Sequence, residues 1–259
     1  MPEVRAKKAL GQHFLVDLNI ARKICDSLTG GTPDAPCTAL EVGCGMGVLT
    51  QFLLRRDDLI TYGAEIDGES IDYLHAHFPE FAPRLIAGDF LELDLQQRFP
   101  DGLRLIGNFP YNISSQIFFK VLDNREKIPV VAGMLQKEVA QRICSGPGSK
   151  VYGILSVLLQ AWYDCRYLFD VGPMVFSPPP KVTSGVIRLT RNGRTELGCD
   201  EKRFKTIVKT AFGQRRKTLR NSIGALLGSG NPILGAPIMG QRPEQLGVED
   251  FIRLTKSTE

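Results

Sequence analysis

Between residues 38 and 135 the chain repeats one rhythm: a short apolar run, a stop at glycines or an acid, then an amphipathic stretch. Thr38-Ala-Leu-Glu-Val42 runs into glycines, Ile60–Asp67 ends in acids, and Arg84–Asp89 does the same. Leu103–Asn108 and Pro129–Leu135 complete the series, with helix-like segments such as Val48–Arg56 and Glu69–Phe78 between the runs. Strands that alternate with helices predict βαβ units and a mostly parallel sheet. Cys165–Val171 and Thr183–Leu189 are two further strands, expected to close one edge as a hairpin. Their connection holds Pro178-Pro-Pro180, which stiffens a loop and excludes helix.

After about Arg194 the pattern turns to helix alone. Phe204, Ile207, Val208, Ala211 and Phe212 fall on one helical stripe, and Lys202, Lys205 and Lys209 lie largely off it. Gly213 is expected to end that helix, Arg216–Leu227 to form another, and Pro243 to open a final short one. The expected architecture is therefore an α/β domain over residues 1–195 and a small C-terminal all-helical domain over residues 196–259.

Composition closes off several alternatives. With 43% hydrophobic residues the 259-residue chain can bury a core. No run reaches the ~18 apolar residues that span a bilayer. The opening, Met1 to Lys8, has no apolar stretch that could act as a secretion signal. The six cysteines are scattered without a C-x-x-C pair, so they read as reduced thiols, neither a disulfide framework nor a zinc site. A cytoplasmic protein is expected. The net charge of +4 is unevenly placed. Residues 1–195 hold 21 basic and 21 acidic side chains, and residues 196–259 hold 11 and 7. From Lys202 to Arg220 there are eight basic residues, among them Arg203, and no acidic one. Charge alone leaves open both a solvated helix face and a site for a polyanion.

The turn Glu41-Val-Gly43-Cys-Gly45-Met-Gly47 follows the first run and opens a helix. Glycines there permit a tight turn and let a ligand approach the main chain. Position 48 is Val, so the dinucleotide G-x-G-x-x-G spacing fails. The turn instead resembles the cofactor loop of S-adenosylmethionine-dependent methyltransferases. Glu65, about twenty residues on, is placed to accept from ribose hydroxyls, and Asp89, after the third run, from an adenine amino group.

Asn108-Phe109-Pro110-Tyr111 follows the fourth run, at the carboxyl edge where open α/β sheets bind ligands. An adenine exocyclic amine is a poor nucleophile because its lone pair is delocalised into the ring. Acceptors aimed at its two N–H groups help it pyramidalise as it attacks a sulfonium methyl. Asn108 offers a side-chain carbonyl and Phe109 a main-chain one. Pro110 fixes the turn, and Tyr111 supplies a π-face for an extruded base.

Further segments carry a resemblance over nearly the whole chain. Leu10-Gly-Gln-His-Phe-Leu15, Met134-Leu-Gln-Lys-Glu-Val139, Ser149-Lys-Val-Tyr-Gly153, Phe176-Ser-Pro-Pro-Pro-Lys-Val182 and Phe212-Gly-Gln-Arg-Arg-Lys-Thr-Leu219 resemble signatures of the small-subunit ribosomal RNA adenine N6,N6-dimethyltransferase family. The resemblance implies a Rossmann-like S-adenosylmethionine-dependent methyltransferase sheet. It implies cofactor contacts at His13, Leu15, Gly43, Gly45, Glu65, Asp89 and Asn108. It implies dimethylation of two adjacent adenines in the 3′-terminal hairpin of 16S RNA, with S-adenosylhomocysteine as the other product. His13 stands where the family often has Asn, so cofactor affinity that varies with pH is expected.

Phosphate contacts are assigned to Lys202, Lys205, Lys209, Arg215, Arg216, Lys217 and Arg220, holding small-subunit RNA or an immature subunit in register without reading its sequence. Phe176 reads either as a second ring against the target base or as a core residue beside a proline turn. The loop Gly146–Lys150 lacks Walker A spacing and reads as a mobile segment near RNA. His75 and His77, two apart on a helix, share no face, and no metal is expected. A monomer is expected. Two rivals stand beside this reading: a methyltransferase acting on large-subunit RNA, and an assembly factor that binds the immature particle without catalysis.

Overall fold

The computed structural model describes residues 4–228 and 230–258. Met1–Glu3, Ser229 and Glu259 lie outside the described residues, and with them the first positions of the opening segment and both ends of the expected domains.

The strands are β1 (Phe14–Leu15), β2 (Cys37–Val42), β3 (Leu59–Glu65), β4 (Leu85–Ala87), β5 (Arg104–Asn108), β6 (Val130–Gln136), β7 (Tyr163–Val171), β8 (Phe176–Ser177) and β9 (Ser184–Arg191). The helices are α1 (Leu18–Asp26), α2 (Thr50–Leu53), α3 (Gly68–His77), α4 (Leu95–Arg98), α5 (Ser114–Asp123), α6 (Lys137–Cys144), α7 (Ile154–Gln160), α8 (Glu201–Gly213), α9 (Leu219–Leu227) and α10 (Val248–Lys256).

Seven strands form one sheet in the order β4-β3-β2-β5-β6-β9-β7. Every pair from β4 to β6 is parallel, and β9 runs antiparallel to β6. This is the mostly parallel sheet the rhythm predicted, in the Rossmann-like form the resemblance implied. A parallel strand covered on both faces reads as an unbroken apolar run, and β6 is buried at all but its last position. The chain winds outward from β2 through β3 to β4, then returns to the other side of β2 for β5 and β6. The order therefore reverses between β2 and β5, which pair directly at Ala39↔Arg104 and Glu41↔Ile106. Open α/β sheets bind ligands at such a switch point, beyond the carboxyl ends of the strands. The glycine turn leaves β2 there, and Asn108 ends β5 there.

The chain divides into two compact units, one running to Ala140 together with Arg166–Arg191, the other comprising Gln141–Cys165 and the residues from Asn192 onward. The later seam falls close to the composition shift at 195. The second unit also takes in residues 141–165, which a reading of local composition assigns to the first. Its core is helical. Phe204, Ile207, Val208 and Ala211 of α8 are buried, and Phe212 packs its ring near Tyr152 and Phe251 at 6.0 and 5.9 Å.

Some element boundaries differ from expectation for local reasons. Gly47 has φ of +75° and sits in a turn, so the helix expected over 48–56 shrinks to Thr50–Leu53. Pro243 opens a separate 3-10 turn, Pro243–Gln245, and the last helix starts at Val248. Lys217 precedes α9, because Thr218 is its N-cap. The expected edge pair appears as β9 and β7, but its connection contributes an extra strand: β8 leaves it to pair antiparallel with β1, Phe14↔Ser177 and Leu15↔Phe176.

Candidate active site

A cavity of about 260 Å³ opens in the first unit above the switch point. Gly43 and Gly45 line it after β2, Glu65 and Ile66 after β3, and Asp89 and Phe90 after β4. Asn108 to Tyr111 line it after β5, and the segment from Leu10 to Phe14 crosses it from the N-terminal side.

Gly43 and Gly45 have φ of +74° and +53°, the left-handed region in which only glycine is unstrained. A side chain at Gly45 would also come within 3.1 Å of the Phe14 ring, so the N-terminal segment lies directly on this turn. The Glu65 carboxylate is buried and held by main-chain donors: Oε1 accepts from Ile66 N–H and Asp67 N–H at 2.9 Å, and Oε2 from Gly45 N–H at 2.8 Å. Burial pushes its pKa above the usual carboxylate range, against the pull of those three N–H groups. A carboxylate has about four acceptor directions, so Oε2 retains capacity for at least one ribose hydroxyl. Asp89 spends Oδ1 on Leu91 N–H at 2.8 Å, capping a 3-10 turn at the cavity wall. Ile66, half exposed at 51%, and Phe90 give the same wall apolar surface for a flat ring. Sequence patterns did not single them out, although a position directly after a strand-end acid is a place to look.

Glu41 opens the glycine turn but is buried beneath it at 1% exposure, where Thr50 Oγ1 donates to its Oε2 at 2.6 Å. Burial pushes its pKa up to about 8. The N-terminal segment is tied down on the cofactor side: Lys7 pairs with Asp67, and Gln12 Nε2 donates to Asp67 Oδ2 at 3.3 Å.

On the opposite side of the cavity, Asn108 Nδ2 donates to the His13 main-chain carbonyl at 2.9 Å. That bond fixes which end of the carboxamide is which and leaves Oδ1 as an acceptor. Phe109 N–H donates to the Met134 carbonyl at 2.9 Å, and its fully buried ring meets Phe118 edge-on at 5.8 Å. The ring's seat is made by two glycines in register on neighbouring strands, Gly107 and Gly133. A Cβ at Gly133 would stand 2.5 Å from that ring. Tyr111 is half-buried, its hydroxyl 2.5 Å from Ser184 Oγ and its ring 5.5 Å from that of His13. His13 Nδ1 donates to the Pro178 carbonyl at 2.9 Å.

Two expected site residues are placed otherwise. Leu15 and Phe176, 2% and 4% exposed, pair across β1 and β8 and belong to the apolar core with Val171 and Val186. Neither side chain lines the cavity. Leu15 is thus a core residue beside the cavity, and Phe176 takes the core role rather than that of a second ring. Two-residue strands carry no legible period, so the sequence could not show which way these side chains turn.

The basic residues all lie in the second unit. Lys202, Lys209, Arg216, Lys217 and Arg220 are exposed, while Lys205 and Arg215 are half-buried. Arg215 Nη2 donates to the Ser149 carbonyl at 3.1 Å, and Gly148 N–H donates to the Glu244 carbonyl at 2.7 Å. The 146–150 loop is therefore anchored, contrary to the mobile segment expected. Arg220 Nε donates to the Leu234 carbonyl at 3.0 Å. Among the described residues no group of three His, Cys, Asp or Glu side chains could hold a metal ion. His77 stacks on Tyr73 at 3.8 Å. No helix among the described residues is long and apolar enough to cross a membrane.

A ribose-binding acid on one side of a cavity and an amine acceptor on the other are the requirements of an adenine methyltransferase built on a doubly wound sheet. Known proteins narrow this class. The family model "Ribosomal RNA adenine dimethylase" matches residues 3–238, and the chain belongs to that family of RNA-methylating enzymes. A protein of Parabacteroides distasonis named "Ribosomal RNA small subunit methyltransferase A" is 60% identical over 97% of this chain and 93% of its own length. One of the same name from Bacteroides fragilis is 56% identical over the whole of this chain and 94% of its own. Among solved structures, a dimethyladenosine transferase from Plasmodium falciparum shares the fold with a TM-score of 0.76, at 24% identity over 93% of this chain and 96% of that one. The 23S rRNA methyltransferase ErmE aligns with a TM-score of 0.63, at 25% identity over 94% of this chain and 98% of that one.

Proposed function

We propose that this chain transfers methyl groups from S-adenosylmethionine to N6 of two adjacent adenines in the 3′-terminal hairpin of small-subunit RNA, twice at each base, during maturation of the subunit. The small-subunit assignment is supported by 60% identity with relatives named for that subunit, against 25% with the large-subunit enzyme. A cytoplasmic monomer fits this role.

The observation that carries the mechanism is the bond from Asn108 Nδ2 to the His13 carbonyl. With its donor end committed, Asn108 meets the adenine amine through Oδ1, and the Phe109 carbonyl takes the second N–H. Together they draw the amine toward a pyramidal nitrogen whose lone pair is free to attack. Tyr111 supports the extruded base by stacking. The residues present fit the cofactor: Glu65 receives a ribose hydroxyl, Asp89 the adenine amino group, and the left-handed glycines admit the ligand to the main chain. When bound, S-adenosylmethionine supplies a methyl group activated by its sulfonium. The product amine sheds its proton to solvent readily, so no general base is required of the protein.

The test offers labelled S-adenosylmethionine together with undermethylated small subunits, large subunits or naked RNA, and maps the product by mass spectrometry. Dimethyladenosine confined to two adjacent adenines of the small subunit is expected. Label in the large subunit, or none at all, would overturn the reading.

A further inference from the structure

Ser184 opens β9 in register with Gln136 of β6 and is fully buried. Its hydroxyl reaches the hydroxyl of Tyr111, 73 residues earlier in the chain, at 2.5 Å. Six positions before Ser184, the Pro178 carbonyl accepts from His13 Nδ1. The short stretch from Pro178 to Ser184 therefore holds two rings at the target side of the cavity, each by a polar atom. Those rings lie 5.5 Å apart and are tilted by 32°.

That spacing limits what they can do. A flat base inserted between two rings needs them about 7 Å apart, two contact distances of ~3.5 Å. At 5.5 Å no base enters between His13 and Tyr111, so a base stacked on Tyr111 lies on the face turned away from His13. The position of that ring then sets where the exocyclic amine lies relative to Asn108. A swing about the Cα–Cβ bond carries the whole ring across the cavity. A hydrogen bond at the hydroxyl, the point farthest from the backbone, is the contact that best restrains that swing. Ser184 is suited to this: its main chain is set in the sheet, and its side chain is short and shielded from competing water.

We propose that Ser184 is a positioning residue for methyl transfer, its hydrogen bond to Tyr111 fixing the ring on which the target adenine stacks; this rests on Tyr111 being the base platform. Ser184 touches no reacting atom and acts only through Tyr111. It also gives a reason for the proline-rich signature at 176–182: Pro178 within it holds one ring, and Ser184, two residues beyond it, holds the other.

A double-mutant cycle in the full chain tests this, using Ser184→Ala, Tyr111→Phe, the double variant and Ser184→Thr with undermethylated small subunits. Each single variant is expected to lose about 5- to 20-fold in kcat/KM, the worth of one hydrogen bond. The double variant should be no worse than either single within about twofold, because both remove the same bond. Ser184→Thr should restore most of the rate, and the cofactor Kd, which reports an intact fold, should stay within about twofold throughout. Should Ser184→Ala fail to fold, Tyr111→Phe removes the same bond while keeping the serine, and Ser184→Thr still reports on it. Wild-type kcat/KM in Ser184→Ala or in Tyr111→Phe, losses that multiply in the double variant, or a parallel loss of cofactor affinity would each overturn the proposal. Tyr111→Ala separates the two layers: a crippled Tyr111→Ala beside a normal Ser184→Ala removes only the role of Ser184. A wild-type-like Tyr111→Ala removes the platform as well.

Discussion

The two compact units treat charge in opposite ways. In the first, the telling charges are withdrawn from water: Glu41 and Glu65 are 1% and 4% exposed and tied to hydroxyl or main-chain donors. In the second, Lys202, Lys209, Arg216, Lys217 and Arg220 stand in solvent. A buried, tethered group acts over one bond length and one direction, and salt hardly reaches it. An exposed cation acts over about 8–10 Å, attracts any polyanion, and is screened as ionic strength rises. On the proposed function, chemical selection falls to the first unit and capture of RNA to the second. Each variant below should therefore move one property and spare the other.

The largest effect is expected at Asn108. Asn108→Ala should cut kcat/KM for methylation by at least about a hundredfold, the scale for losing one fixed polar group at a reacting centre. Its Kd for small-subunit RNA should remain within about twofold in a filter-binding assay. Equal losses in both would erase the division of labour. Glu65→Gln should weaken cofactor binding by about 10- to 100-fold, read by calorimetry, because a charge-assisted hydrogen bond is worth more than a neutral one. Unchanged cofactor affinity would move the ribose elsewhere.

The residues in these two predictions were legible in the chain alone, and the reason is topological. β2 to β6 are parallel and largely buried strands, so each reads as an apolar run, and its functional residue stands where the run stops. Gly43, Glu65, Asp89 and Asn108 are such stops. What stayed hidden depends on contacts between distant segments or on a single orientation. Ser184 reaches Tyr111 across 73 residues, a pairing that no local pattern encodes. Leu15 and Phe176 turn into the core because of a ladder only two residues long. Residues 141–165 join the second unit through tertiary packing, which local composition does not encode.

In the second unit, Arg216→Ala, Lys217→Ala and Arg220→Ala together should lower RNA affinity by roughly tenfold near physiological salt and leave kcat at saturation unchanged. Each lost phosphate contact should reduce the slope of log K against log salt by about 0.7–0.9. An unchanged slope would place the RNA face on other residues. Arg215 sharpens the contrast within the basic run. Its guanidinium donates to the Ser149 carbonyl and stands 4.0 Å from the Glu244 carboxylate. Arg215→Ala should barely alter the salt slope and instead speed hydrogen exchange in the 146–150 loop. A slope change as large as that of Arg216→Ala would return Arg215 to the phosphate-binding set.

A dependence of stability on pH isolates the buried acids. Burial raises the Glu41 pKa to about 8 in the folded chain, from an ordinary value near 4.5. Below pH ~4.5 the group is protonated in both states and contributes nothing to the slope. Between there and about 8 the unfolded chain ionises while the folded chain keeps its proton, so folding is progressively less favoured as pH rises. The loss is bounded by ~5 kcal/mol, at 1.36 kcal/mol per pKa unit. Glu65 is shifted the same way by burial, so a weaker slope remains when Glu41 is removed. Urea unfolding at pH 5.5, 7 and 8.5 should therefore show the wild-type chain losing stability with pH, and Glu41→Gln losing clearly less. An exposed cation has no such leverage: Lys217→Ala should track the wild type across the series. Parallel curves for wild type and Glu41→Gln would mean that burial does not hold Glu41 protonated and that the carboxyl is ionised beneath the glycine turn in the folded chain.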